Sequence, residues 1–139
     1  MNRVVAVVLF YDKDLNILLQ DRGMHSKFGE KYGFWGGGIE KGETPKQTIK
    51  RELQEELSYT PENIEYWGHY SFTLIPTNEI YHGEMFVSPI TEELLNAKVN
   101  EGAGKIIIPL AQAIKNKNYE LGPVTTHFLE KINDDLTKI

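Results

Sequence analysis

The chain has 139 residues, 40% of them hydrophobic, which suits one domain with a real core and no need of staples. Its 15 basic residues against 20 acidic ones leave a net charge of −5, which argues against a general affinity for nucleic-acid phosphates. There is no cysteine, which excludes disulfides, thiolate metal ligands and cysteine nucleophiles and suits a reducing cytoplasm.

In chain order, Val4 to Tyr11 and Leu15 to Gln20 are β-rich runs around the polar stretch Asp12, Lys13 and Asp14, which predicts a hairpin. The apolar start, Val4 to Phe10, is too short to span a membrane, and no small-residue cleavage site follows it. A loop from Arg22 to about Lys31 leads into YGFWGGGIEKGE, where Gly36, Gly37 and Gly38 permit backbone geometry that other residues resist. A helix follows from Pro45 to about Leu57. Its start is marked by Thr44 as cap, Pro45 at the first helical position and Gln47 completing a capping box. Glu62 to Leu74 and Glu79 to Ile90 alternate as strands, broken at Pro76 to Asn78. Glu92 to Asn96 predicts a short helix, Lys105 to Pro109 a strand, and Leu110 to Asn116 and Val124 to Leu136 two more helices. Strands, a central helix, more strands and a closing helix predict one α+β or α/β domain with a mixed sheet.

The helix carries the first chemical clue. At about 100° per residue, Glu52, Glu55 and Glu56 fall on one stripe. It runs beside Ile49, Leu53 and Leu57, the row that should bury against the sheet. Like charges at these spacings repel, and the helix C-terminus disfavours anions. Lys46 and Lys50 relieve this only in part. Two readings fit: a solvated acidic face, or a site for a hard cation, which takes oxygen ligands. Helix spacing alone does not choose.

The glycine loop bears on that choice. Gly37 and Gly42 have the spacing of a phosphate-cradling loop, but Glu43 stands where such a loop needs lysine. An acid there repels phosphate unless a divalent cation bridges the two.

Taken together, these residues match the pattern G-x5-E-x7-R-E-U-x-E-E-x-G-U, with U apolar. They are Gly37, Glu43, Arg51, Glu52, Leu53, Glu55 and Glu56, followed by Ser58 and Tyr59. Every charged residue of the pattern is present, and the chain resembles the Nudix hydrolase family, its MutT-like members in particular. The resemblance implies an α/β fold, an α/β/α sandwich on a mixed β-sheet, with residues 37–59 as the Nudix box of a single domain spanning 1–139. It implies Mg²⁺ (or Mn²⁺) held by Glu52, Glu55, Glu56 and the Gly36 carbonyl, with Gly37 and Glu43 in support. Arg51 would orient a glutamate through a charge-assisted hydrogen bond. Glu52 or Glu56 would act on the attacking water, with Glu101, in the loop VNEGAGK, as a competing base or further ligand.

The implied reaction is hydrolysis of a nucleoside diphosphate linked to another group, a nucleoside triphosphate being the leading substrate. ADP-ribose, dinucleoside polyphosphates and nucleotide sugars are alternatives, and a non-catalytic nucleotide sensor is a reading from another class. The implied partner is a nucleotide-type small molecule, with no nucleic acid and no membrane; homodimers occur among such proteins. Two departures stand out. Gly36 occupies a position where many relatives have proline, which should loosen the turn, and Ser58 replaces the box glycine, whose usual place after a helix is left-handed. Tyr59 is expected to pack partly exposed. His25, His69, His82 and His127 read as surface or satisfied residues, and Trp35, Tyr81 and Phe86 as core aromatics before base-stacking ones. Arg22 and Lys27 read as solvated surface before phosphate ligands.

Overall fold

A computed structural model describes residues 2–22, 32–74, 77–100, 104–115 and 121–137. The apolar run after Arg3 becomes the centre of the sheet. Strand β1 (Asn2–Tyr11) pairs in parallel with β6 (Glu79–Pro89) along its whole length, from Asn2 opposite Ile80 to Tyr11 opposite Pro89. Its other edge is shared between two partners. Val5 to Val8 pair with β4 (Trp35–Gly38), while Phe10 and Tyr11 pair with β2 (Asn16–Asp21). Strand β2 therefore diverges from β1, and pairs with β7 (Gly104–Pro109) and with the short β3 (Tyr32–Gly33). The chain crosses the resulting gap at Phe34, and the Trp35 indole closes it by donating to the Leu18 carbonyl at 3.1 Å. Strand β5 (Glu65–Leu74) forms the far edge, antiparallel to β6.

A central strand buried on both faces needs an unbroken apolar run. Alternation then sends Ala6, Val8 and Phe10 to one face and Val7 and Leu9 to the other. On the first face lies α1 (Pro45–Leu57), whose Ile49, Leu53 and Leu57 pack with Trp35, Phe86 and Leu94, the last from α2 (Glu92–Asn96). Burying each of those three α1 side chains is worth about 1.5–3 kcal/mol. On the second face, Phe128, Leu129 and Ile132 of α4 (Gly122–Thr137) pack with Ile17, Leu19, Met85 and Ile108, joined by Ala113 of α3 (Leu110–Lys115). The fold is the expected α/β/α sandwich on a mixed sheet.

Three local expectations change. Strands β3 and β4 are not predicted, because a run of three glycines carries no strand pattern. Strand β5 starts at Glu65 and not at Glu62. Tyr59 is buried, its ring 6.4 Å from that of Phe10 and its hydroxyl 2.9 Å from Thr91 Oγ1, the cap of α2. Trp35, Tyr81 and Phe86 are core residues, as expected. Among the described residues, no helix is long and apolar enough to cross a membrane.

Candidate metal and active site

Helix α1 is anchored at both ends. Thr44 Oγ1 accepts from the Gln47 N–H at 3.1 Å, and the Gln47 side chain accepts from the Thr44 N–H at 2.9 Å, completing the capping box. At the other end Ser58 takes the left-handed conformation, φ 50° and ψ 38°, and its N–H donates to the Gln54 carbonyl. Serine thus adopts the geometry of the glycine it replaces. Its hydroxyl accepts from Asn100 Nδ2 at 2.8 Å, and the Asn100 N–H donates to the Glu56 carbonyl at 2.7 Å, which straps the segment after α2 to the end of α1. Lys105 holds that segment from the other side, donating to the Leu94 and Ala97 carbonyls at 3.1 and 2.6 Å; burial lowers the pKa of its ammonium.

The glycine run lies beneath the acidic stripe. Gly36 sits in β4 opposite Val7 with φ +129°, and a Cβ there would stand 2.2 Å from the Ala6 carbonyl oxygen. The expected loosening is therefore corrected. Only glycine fits, and the sheet fixes the position. The Gly36 N–H donates to Glu56 Oε1 at 3.1 Å. A Cβ on Gly37 would stand 2.5 Å from Glu52 Oε1, so the missing side chain is what admits that carboxylate.

The three acids that share a stripe differ in environment. Glu56 is only 4% exposed, Glu52 is partly buried, and the Glu55 side chain is 50% exposed. Their repulsion is relieved by Arg51 more directly than by Lys46 or Lys50. Arg51 Nε and Nη2 hold Glu43 Oε2 and Oε1 at 2.7 and 3.0 Å. Its Nη1 reaches Glu52 Oε1 at 3.0 Å, Glu55 Oε1 at 3.5 Å and Glu40 Oε1 at 3.6 Å, while Nη2 also donates to the Gly38 carbonyl at 3.1 Å. Donating these hydrogen bonds to the Glu43 carboxylate raises the pKa of the guanidinium further. Glu43 is in turn pulled down to about 2, first by Arg51, then by the Glu40 N–H and the Thr48 hydroxyl, which both donate to Oε1.

The donor set is all oxygen, which matches a hard divalent cation and no soft one. Among the described residues, no three His, Asp or Glu side chains already close around one point as ligands, since Glu52 faces Arg51 and Glu56 faces the Gly36 N–H. Glu101, Lys27 and His25 lie outside the described residues. Arg22 is half-buried, its Cδ within 3.2 Å of where a Gly33 Cβ would stand, and so is not the freely solvated side chain expected. His127 packs on Phe72 at 4.8 Å. His69 and His82 are not scattered. Their rings stack at 5.4 Å and they join Tyr66 and Glu84 in one cluster, which no sequence spacing announces.

The chain matches the NUDIX domain over residues 1–128. It is 39% identical over 60 residues to the 8-oxo-dGTP diphosphatase of Escherichia coli (strain K12), a match that takes in 43% of this chain and 46% of that protein. Nudix hydrolase 3 of Caenorhabditis elegans is 31% identical over 121 residues, 83% of this chain and 49% of that one. The chain thus spans about half the length of the curated relatives it matches. Among solved structures, the MutT protein from Methanosarcina mazei Go1 superposes with a TM-score of 0.75 over 96% of this chain and 94% of that one, at 19% identity. With the fold, the box residues and the match over most of its length in agreement, the chain belongs to the NUDIX domain family.

Proposed function

We propose that the chain is a Mg²⁺-dependent (or Mn²⁺-dependent) hydrolase of nucleoside diphosphate-linked substrates, acting on a nucleoside triphosphate to release nucleoside monophosphate and pyrophosphate. The observation that carries this reading is the seating of two carboxylates on the glycine strand: Glu52 over Gly37, and buried Glu56 on the Gly36 N–H. Burying a carboxylate is costly unless its charge is met, so a row of acids held together at a core edge favours a cation partner over a solvated face. The likeness to 8-oxo-dGTP diphosphatases, 38–40% identical over 53–68 residues, supports a triphosphate substrate.

Glu52, Glu55, Glu56 and the Gly36 carbonyl would hold the cation, which when bound screens the phosphate oxygens and activates water. Arg51 aims Glu52 and binds Glu43, whose depressed pKa keeps it an anion across the working range of pH. Gly37 leaves room for the Glu52 carboxylate, and Gly36 fixes that of Glu56. Either Glu52 or Glu56 takes the proton of the attacking water, with Glu101 as the competing base. The domain spans 1–139, works in the cytoplasm, and takes a nucleotide-type small molecule as its partner. The charge of −5 suits neither nucleic acid nor an anionic membrane.

A panel of nucleotides, normal and oxidised, incubated with Mg²⁺ and resolved by chromatography, tests the reading. Pyrophosphate release from a triphosphate supports it. Cleavage only of ADP-ribose or a nucleotide sugar moves the substrate to that class, and thermal stabilisation by nucleotides without turnover leaves a sensor.

A further inference from the structure

Two histidines stand together on β5 and β6, apart from the carboxylate stripe of α1. Strand register sets them there. Glu84 of β6 pairs with His69 of β5, while His82, two residues before Glu84, lies opposite Ser71, so that His69 and His82 are diagonal neighbours across the two strands. An irregularity in β5 makes them so. Tyr66 pairs with Phe86, Gly68 with Met85 and His69 with Glu84, so Trp67 is an extra residue, and Tyr66 and His69, three apart in sequence, both reach the Glu84 carboxylate.

Glu84 fixes where the protons of this pair lie. Its Oε2 accepts from the Tyr66 hydroxyl at 2.7 Å, and its Oε1 is hydrogen-bonded to His69 Nδ1. An ionised carboxylate only accepts, so His69 carries its proton on Nδ1 and, as a neutral imidazole, leaves the Nε2 lone pair bare. That bare nitrogen lies 3.3 Å from His82 Nδ1, with the two rings stacked at 5.4 Å and 29°. A proton on His82 Nδ1 can bridge the two, but the separation exceeds the about 2.9–3.0 Å usual for an N–H donor. It fits a metal ion better. Two nitrogens bound at about 2.0–2.1 Å to one tetrahedral Zn²⁺ stand about 3.3–3.4 Å apart.

We propose that His69 Nε2 and His82 Nδ1 form a second cation site, for a divalent transition ion of the Zn²⁺ class. Imidazole nitrogen suits Zn²⁺, Cu²⁺ or Ni²⁺, whereas the oxygen set on α1 suits Mg²⁺ or Mn²⁺. The chain has no cysteine, so no thiolate competes for such an ion. Glu84 is not a ligand here. It holds the ligating ring of His69 by its far nitrogen, the carboxylate–histidine arrangement that fixes the tautomer and raises the basicity of a metal ligand, and Tyr66 holds Glu84 in turn. On binding, His82 gives up the proton on Nδ1, either to its own Nε2 or to solvent. The His69 side chain is 47% exposed, so water completes the coordination and the site is weaker than a closed structural one. This inference does not depend on the hydrolase reading above.

Calorimetric titration of the untagged chain with Zn²⁺, with Mg²⁺ in excess to occupy the carboxylates, tests the site. Each variant is first checked for unchanged thermal unfolding without Zn²⁺. Wild type should bind one equivalent, and His69→Ala and His82→Ala should each abolish that binding. Glu84→Gln, which keeps both ligands but removes the carboxylate behind His69, should weaken it by about 10–100-fold. Glu56→Gln and His127→Ala should bind as wild type does. NMR of the imidazole nitrogens gives a second readout, in which Zn²⁺ should shift His69 Nε2 and His82 Nδ1 and leave His127 in place. No binding at millimolar Zn²⁺, binding that survives both histidine variants, or binding lost in Glu56→Gln overturns the inference.

Discussion

Arg51 and Glu43 meet as a fork, Nε to Oε2 at 2.7 Å and Nη2 to Oε1 at 3.0 Å, and the third nitrogen of the same guanidinium lies 3.0 Å from Glu52. One planar group thus ties the loop before α1 to the acidic stripe on it. Lysine has neither the plane nor the donors to do both. Arg51→Lys should therefore cost about 10–100-fold in Mn²⁺ affinity or turnover, the usual loss when a partner that orients a ligand is removed. Because the pair is solvent-screened, stability should change little. Titration with Mn²⁺ beside urea unfolding separates the two effects.

Glu43 sets an acid limit on the fold. Its folded pKa is depressed from 4.5 to about 2, so its contribution is complete above the unfolded value and is lost as pH falls through that interval. Urea midpoints for the wild-type chain should drop between about pH 4.5 and about pH 2 more steeply than those of Glu43→Gln. Parallel curves would remove Glu43 from the account.

Two adjacent glycines should fail in different ways. At Gly36 a Cβ strikes backbone at positive φ, so Gly36→Ala should destabilise the chain by about 3 kcal/mol or more. At Gly37 the Cβ meets the end of a flexible side chain, so Gly37→Ala should displace Glu52, keeping most of the stability while losing activity. Unfolding and turnover measured on both variants should show the two losses in opposite proportions.

Ser58 carries a cost that glycine would not. Left-handed geometry costs an L-residue about 1–2 kcal/mol, offset here in part by the hydrogen bond from Asn100. Ser58→Gly should raise stability by about 0.5–1 kcal/mol, or Tm by about 2–4 °C. A fall in Tm would mean that the Asn100 contact outweighs the backbone strain.

Much of this was legible from the chain, because it depends on local chemistry. Thr44, Pro45 and Gln47 cap α1 where the sequence predicts, and the unbroken run from Val4 to Phe10 reflects a strand buried on both faces. What escaped depends on distant partners. Helix arithmetic places Glu52, Glu55 and Glu56 on one stripe, but only the position of β4 makes Glu56 buried and Glu55 exposed. Gly36 to Gly38 form a strand because β1 offers an edge, which their own composition does not reveal. The cluster at Glu84 depends on an inserted residue that shifts the period of β5 and cannot be read from alternation alone.

Glu52, Glu55 and Glu56 are proposed to hold a divalent cation that hydrolysis requires. Pyrophosphate release from a nucleoside triphosphate, followed over a Mg²⁺ titration for wild type and Glu56→Gln at matched folded fraction, tests it most directly. Chelation should abolish wild-type release, and the variant should lose about 100-fold or more, which added Mg²⁺ only partly restores. A Glu56→Gln protein with the wild-type rate and Mg²⁺ dependence would contradict it.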